Sequence, residues 1–152
     1  MFKKNFLIIL ILIFFTSCEY KPIYSSLNKS TYKIIVTELS GDKKLNKFLV
    51  ENLKRNSQKN SSEVINIKMN STYTKIILAK NTAGNITDYQ ANAVTTFLIE
   101  RNQTSEQIII SENFKFQKMS DKYEEKNYEQ NIKRNLATLI SQKLILRLSI
   151  SQ

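Results

Sequence analysis

The sequence predicts an α/β chain of the α+β type: a two-layer sandwich in which a four-stranded mixed sheet carries two helices on one face. The first observation is a change in the period of the apolar residues, from two to near 3.6 and back, which sets the order β-α-β-β-β-α. The second is that each helical stretch has a single apolar stripe, so each needs one sheet face to cover it. The third is the spacing of turn residues. They join the last three strands closely enough for an antiparallel meander, whereas the first two strands are joined through a helix, which suits parallel pairing.

The elements follow in order. Tyr32 to Leu39, rich in β-branched residues, reads as a short strand, and Ser40-Gly41-Asp42 ends it. Leu45, Phe48, Leu49 and Leu53 recur at helical spacing, with Lys43, Lys44, Lys47 and Lys54 on other faces, so a helix runs from Asp42 to Asn56. From Val64 the chain alternates, with Ile65, Ile67 and Met69 set against Asn66, Lys68 and Asn70. This predicts a long half-exposed strand to Lys80. Residues Asn81 to Asp88 form the expected hairpin loop, with Gly84-Asn85 able to take positive φ. Tyr89, Ala91, Ala93, Phe97 and Ile99 mark one face of the next strand, Arg101 to Thr104 turn the chain, and Ile108, Ile110, Phe114 and Phe116 mark a face of the last. Asp121 followed by Glu124 fits an acidic capping box. The helix behind it carries Tyr128, Ile132, Leu136, Leu139, Ile140 and Leu144 as its stripe, continuing toward Leu148.

Composition excludes several functions. The 152 residues contain no His and one Cys, so a Cys/His zinc site, a Ser-His-Asp or Cys-His catalytic set and an internal disulfide are all ruled out. The formal net charge of +10 favours a polyanionic partner, although the basic residues are dispersed rather than clustered, which argues against nucleic acid. Glu124, Glu125 and Glu129 invite an acid–base reading, but their helical phase favours a solvated face near a helix N-terminus.

The N-terminus has an address of its own. A basic start, Met1 to Asn5, precedes ten apolar residues, Phe6 to Phe15. That length suits the core of an export signal and falls short of the about 20 residues a bilayer span needs. Phe15-Thr16-Ser17-Cys18 resembles the bacterial lipobox, with Phe15 where Leu is usual. The resemblance implies cleavage between Ser17 and Cys18 and lipid on the Cys18 thiol and new amino group. Several acyl chains on one residue make a durable anchor. Glu19, in place of Asp, implies sorting to the outer membrane. Loss of Lys3 and Lys4 takes the charge from +10 to +8. The organisation expected is a signal over residues 1–17, an anchored linker over 18–31 and one domain over 32–152.

Cys18, then Tyr20-Lys21-Pro22-Ile23-Tyr24, the element order and the segment Ile77 to Ile99 around Thr87-Asp88-Tyr89-Gln90 together resemble the LPS-assembly lipoprotein family LptE. That resemblance implies a non-enzymatic lipoprotein on the periplasmic side of the outer membrane. It would plug and help assemble the LptD barrel and bind lipopolysaccharide on its way to the outer leaflet, with no cofactor beyond the lipid on Cys18. Pro22 and Tyr24 would lead the chain away from the membrane. For the phosphates of lipopolysaccharide the candidates are Lys75, Lys80, Arg101, Lys115 and Lys118, near strand ends and turns, against the plainer reading of solvated surface cations. The loop at Asn81 to Asp88 is the expected contact surface. Five Asn-x-Ser/Thr sequons are accidental in a lipidated chain. Two other readings stand beside this one: an accessory lipoprotein of another envelope lipid-transport system, and a tethered periplasmic enzyme. The missing His, scarce Gly and lack of a phosphate-cradling loop weigh against the enzyme.

Overall fold

The computed structural model describes residues 32–150; the export signal expected over 1–17, Ser17, Cys18 and the linker expected over 18–31 lie outside them. The elements are β1 (Lys33–Gly41), α1 (Lys43–Asn56), β2 (Val64–Lys80), β3 (Ile86–Arg101), β4 (Thr104–Gln117) and α2 (Lys122–Ile150). The strands lie in the order β1-β2-β3-β4, with β1 parallel to β2 and the rest antiparallel. This is the α+β sandwich that the sequence predicts.

Burial explains why the alternation was readable. Ile65, Ile67, Met69 and Ser71 of β2 share a face with Ala91, Ala93, Thr95, Phe97 and Ile99 of β3, and all are buried. Leu45, Leu49 and Leu53 of α1 and Ile132, Leu136, Ile140 and Leu144 of α2 close over that face. The small side chains at Ala91 and Ala93 leave room for the helix above them. No described helix lies on the other face. Its side chains are mainly Asn, Gln, Ser and Thr, such as Asn70, Thr72, Gln90, Asn92, Thr96 and Asn113, all half-buried or exposed.

The junction of β1 and α1 is tightly specified. Gly41 has φ +90, and a Cβ there would overlap the Ser71 carbonyl. That carbonyl accepts the Asp42 amide at 2.8 Å, and the Asp42 carboxylate caps α1 by accepting the Leu45 amide at 2.8 Å. The buried Asn46 donates to the Ser40 carbonyl at 2.8 Å and accepts the Ser71 hydroxyl at 2.6 Å, so its polar groups are satisfied.

Four local expectations change. β3 begins at Ile86, so the loop holds only residues 81–85. The Asn81 side chain accepts the Ala83 and Asn85 amides, and this tight turn lets pairing start earlier. Phe114 lies on the helix-side face but is 37% exposed, because β4 is an edge strand. Leu139 is 44% exposed; the α2 stripe runs instead through Ala137, Ser141 and Ile145. The capping box is divided: Asp121 accepts the Tyr123 and Glu124 amides, whereas the carboxylate that reaches back is that of Glu125, to the Met119 amide.

Candidate functional site

The hairpin β2–β3 outruns its neighbour. β1 stops at Gly41, opposite Ser71, while β2 continues to Lys80 and pairs with β3 almost to its end. The sheet therefore has a broad proximal end, where β1 begins and the β3–β4 turn lies, and a narrower distal end made by β2, β3 and β4.

Charged side chains stitch the distal half to α2. Lys75 on β2 reaches Glu125 at 2.9 Å and Glu129 at 3.1 Å, and its ammonium sits 4.5 Å from the centre of the Tyr89 ring. Lys133 meets Asp42 at 2.9 Å and lies 4.0 Å from the centre of the Tyr73 ring. Burial opposes the charge on Lys75, but Glu125 and Glu129 outweigh it and raise its pKa. Burial also works to raise Glu125 and Asp42. Bonds from Lys75 and the Met119 amide lower Glu125, and bonds from the Leu45 amide and Lys133 lower Asp42. Burial, with the Glu129 carboxylate next, pushes the Tyr73 hydroxyl well above the usual tyrosine range. The expectation of a wholly solvated acidic face is thus corrected: Glu124 is exposed, but Glu125 and Glu129 hold Lys75.

The five candidate cations separate into groups. Lys75 is matched by two carboxylates, which leaves it poorly suited to an outside phosphate. Arg101 lies at the proximal end, paired with Glu63 and 5.7 Å from the centre of the Tyr32 ring. Lys80, Lys115 and Lys118 share the distal end. Lys80 opposes Ile86, Lys115 opposes Gln90, and the Lys118 amide donates to the Thr87 carbonyl at 2.7 Å. All three are exposed and make no ion pair among the described residues. Cys18 and Ser17 are outside the described residues.

Sequence reasoning passed over the apolar partner of these lysines. Ile76, Ile77 and Leu78 are 46%, 50% and 44% exposed. Three consecutive apolar residues break the alternation of β2, and that break was the available signal. The distal end therefore offers separated ammonium groups beside apolar surface, a chemistry suited to an amphiphile with anionic head groups. Elsewhere an open groove of about 620 Å³ runs between α1 and α2, with Leu139 and Leu146 among its walls and Arg55 and Lys143 at its rim. Among the described residues no three His, Cys, Asp or Glu side chains gather as a metal site, and no helix is long and apolar enough to cross a membrane.

No family model and no curated protein matches the chain. Solved structures do. A rare lipoprotein B from Shewanella oneidensis is similar at TM-score 0.55 and 14% identity, over 78% of this chain and 100% of that one. A minor lipoprotein from Acinetobacter baumannii is similar at 0.51 and 18%, over 78% and 96%. A lipoprotein B from Nitrosomonas europaea is similar at 0.51 and 10%, over 81% and 86%. At these identities the likeness is one of fold.

Proposed function

We propose that the chain is a lipid-anchored outer-membrane protein of the lipopolysaccharide-assembly type, held by Cys18 on the periplasmic side. Its domain plugs and helps assemble the LptD barrel and binds lipopolysaccharide in transit, without enzymatic activity. The observation that carries this reading is the distal end. There Lys80, Lys115 and Lys118 stand beside exposed Ile76, Ile77 and Leu78, on a hairpin that points away from Tyr32, where the anchored segment joins. Such an end matches phosphates set above acyl chains. The uncovered sheet face, polar but with few charges, suits the hydrated wall of a barrel lumen. The likeness in fold to proteins described as lipoproteins agrees with the lipobox at Cys18.

Two experiments test it. Purification through a C-terminal tag should bring down a large outer-membrane barrel; recovery of inner-membrane transporter subunits alone would instead favour the accessory-lipoprotein reading. Lysines near an anionic lipid surface contribute about 1 kcal/mol each. Replacing Lys80, Lys115 and Lys118 by Glu should therefore lower lipopolysaccharide affinity roughly a hundredfold or more. Replacing Arg101, already paired with Glu63 at the other end, should change it little. A loss that is equal per unit of charge removed in both variants would show that net charge, and not the distal end, governs binding.

A further inference from the structure

β2 continues for the residues Thr72–Lys80 beyond the last pair it makes with β1, Gly41 with Ser71. On this stretch only β3 pairs with it, and no described strand lies on the other side. Alternate backbone N–H and C=O groups there point away from the ladder and form a template for another strand.

Natural sheets guard such edges with proline, bulges or charged side chains. Thr72 to Ile77 contains no proline, and the irregularities of register come only after Ile77. Its one lysine, Lys75, is drawn onto Glu125 and Glu129 of α2. Ile76 and Ile77 expose apolar surface to the two faces in turn.

The surrounding charge selects the occupant. Lys43 and Lys44 stand exposed in the first turn of α1, just after the strand that would be extended, and that turn contains no acid. Lys80 lies exposed at the other end of the stretch. None of the three makes an ion pair among the described residues. Two copies joined edge to edge about Ile76 would set each Lys80 opposite the other copy's Thr72. That gathers it with Lys43 and Lys44 at both ends, which disfavours a second copy.

We propose that Thr72 to Ile77 is a docking edge for an extended acidic strand of a partner protein, laid in line with β1. The backbone ladder holds the strand, Ile76 and Ile77 take its apolar side chains, and Lys43, Lys44 and Lys80 select its acids. This does not depend on the lipid reading above.

The test uses the full chain in detergent and two short peptides, one alternating valine with glutamate and one alternating valine with lysine. Amide hydrogen exchange should slow over Thr72 to Ile77 when the glutamate peptide is added. Exposed ion pairs each shift affinity a few-fold, so three of them should favour that peptide roughly tenfold at low salt. Replacing Lys43 and Lys44 by Glu, which touches no buried side chain, should abolish the preference in a chain that remains folded. Protection elsewhere, or equal binding of both peptides, would overturn the proposal. So would protection of the outward-pointing amides of this stretch before any peptide is added, since the chain's own residues or a second copy would then fill the edge; the amides turned toward β3 are protected in either case.

Discussion

At the scale of single residues, Gly41 and Lys75 do the most. Gly41 combines φ +90 with a hydrogen where a Cβ would strike the Ser71 carbonyl, so no side chain fits without moving β2. Gly41→Ala should cost at least about 2 kcal/mol, measured by urea unfolding. Lys75 acts through charge. With Lys75→Met, Glu129 loses its paired ammonium and Glu125 keeps only the Met119 amide and the weaker pull of Lys118, and stability at neutral pH should fall by about 1–2 kcal/mol. The sign with pH follows from the shifts. Glu125 and Asp42 are depressed, so the stability they contribute is present above their unfolded pKa values and is lost as pH falls through the lower folded values. Lys75 is raised, so its contribution is full below its unfolded pKa and is lost only at strongly alkaline pH. The penalty of Lys75→Met should therefore shrink as both proteins are acidified below about pH 5, because protonated carboxyls no longer need the ammonium. A penalty that stays constant between neutral and acid pH would mean that Lys75 acts by packing alone.

At the scale of elements, the turns and caps make separable contributions. Asn102 and Gln103 join β3 to β4 with φ of 47 and 67, a two-residue turn with both central residues left-handed. Asn tolerates that region, while Gln does so poorly. Gln103→Gly should raise stability by roughly 0.5–1 kcal/mol, visible as a higher urea midpoint at unchanged slope. Asp121→Ala should lower it by about 1 kcal/mol, since the Tyr123 and Glu124 amides lose their acceptor. The same elements show what could be read in advance. Where both sides of the pattern meet their expected surroundings, as in Ile65-Asn66-Ile67-Lys68-Met69 or Leu45-Leu49-Leu53, periodicity alone locates the element and its buried face. It fails at borders. Phe114 keeps its phase but sits on an edge strand, and Leu139 has the right residue type on the wrong side of its helix. The pairing of Lys75 with Glu125 and Glu129 spans 50 and 54 positions and depends on how far β2 reaches under α2, which no local pattern encodes. The candidate site was therefore half legible. Its lysines were visible as types, but their division between a distal group, a proximal Arg101 and an internal Lys75 required the register of the sheet.

At the scale of the whole molecule, the core and the distal end are separate parts of one hairpin. β2 has 17 residues, and at about 3.3 Å per residue it extends roughly 55 Å. The buried side chains of β2 are confined to Ile65 through Ser71, and none of residues 78–88 is buried. Residues 78–88 contribute little to folding and are retained, on the reading above, for contact. The pairing of Ile77 with Tyr89 offers a clean place to cut. Replacing residues 78–88 by Asn-Gly closes the hairpin there with a two-residue turn suited to the strand twist. It removes Lys80 and the loop while leaving Lys115, Lys118 and the whole core. The shortened chain should unfold within about 1 kcal/mol of the original, because only exposed and half-exposed surface is lost. If the proposed function holds and the tip is what enters the barrel, this folded chain should no longer co-purify with an outer-membrane barrel, while the attachment proposed at Cys18 should be unaffected. Undiminished co-purification would move the contact to the uncovered polar face of the sheet, which the deletion leaves in place.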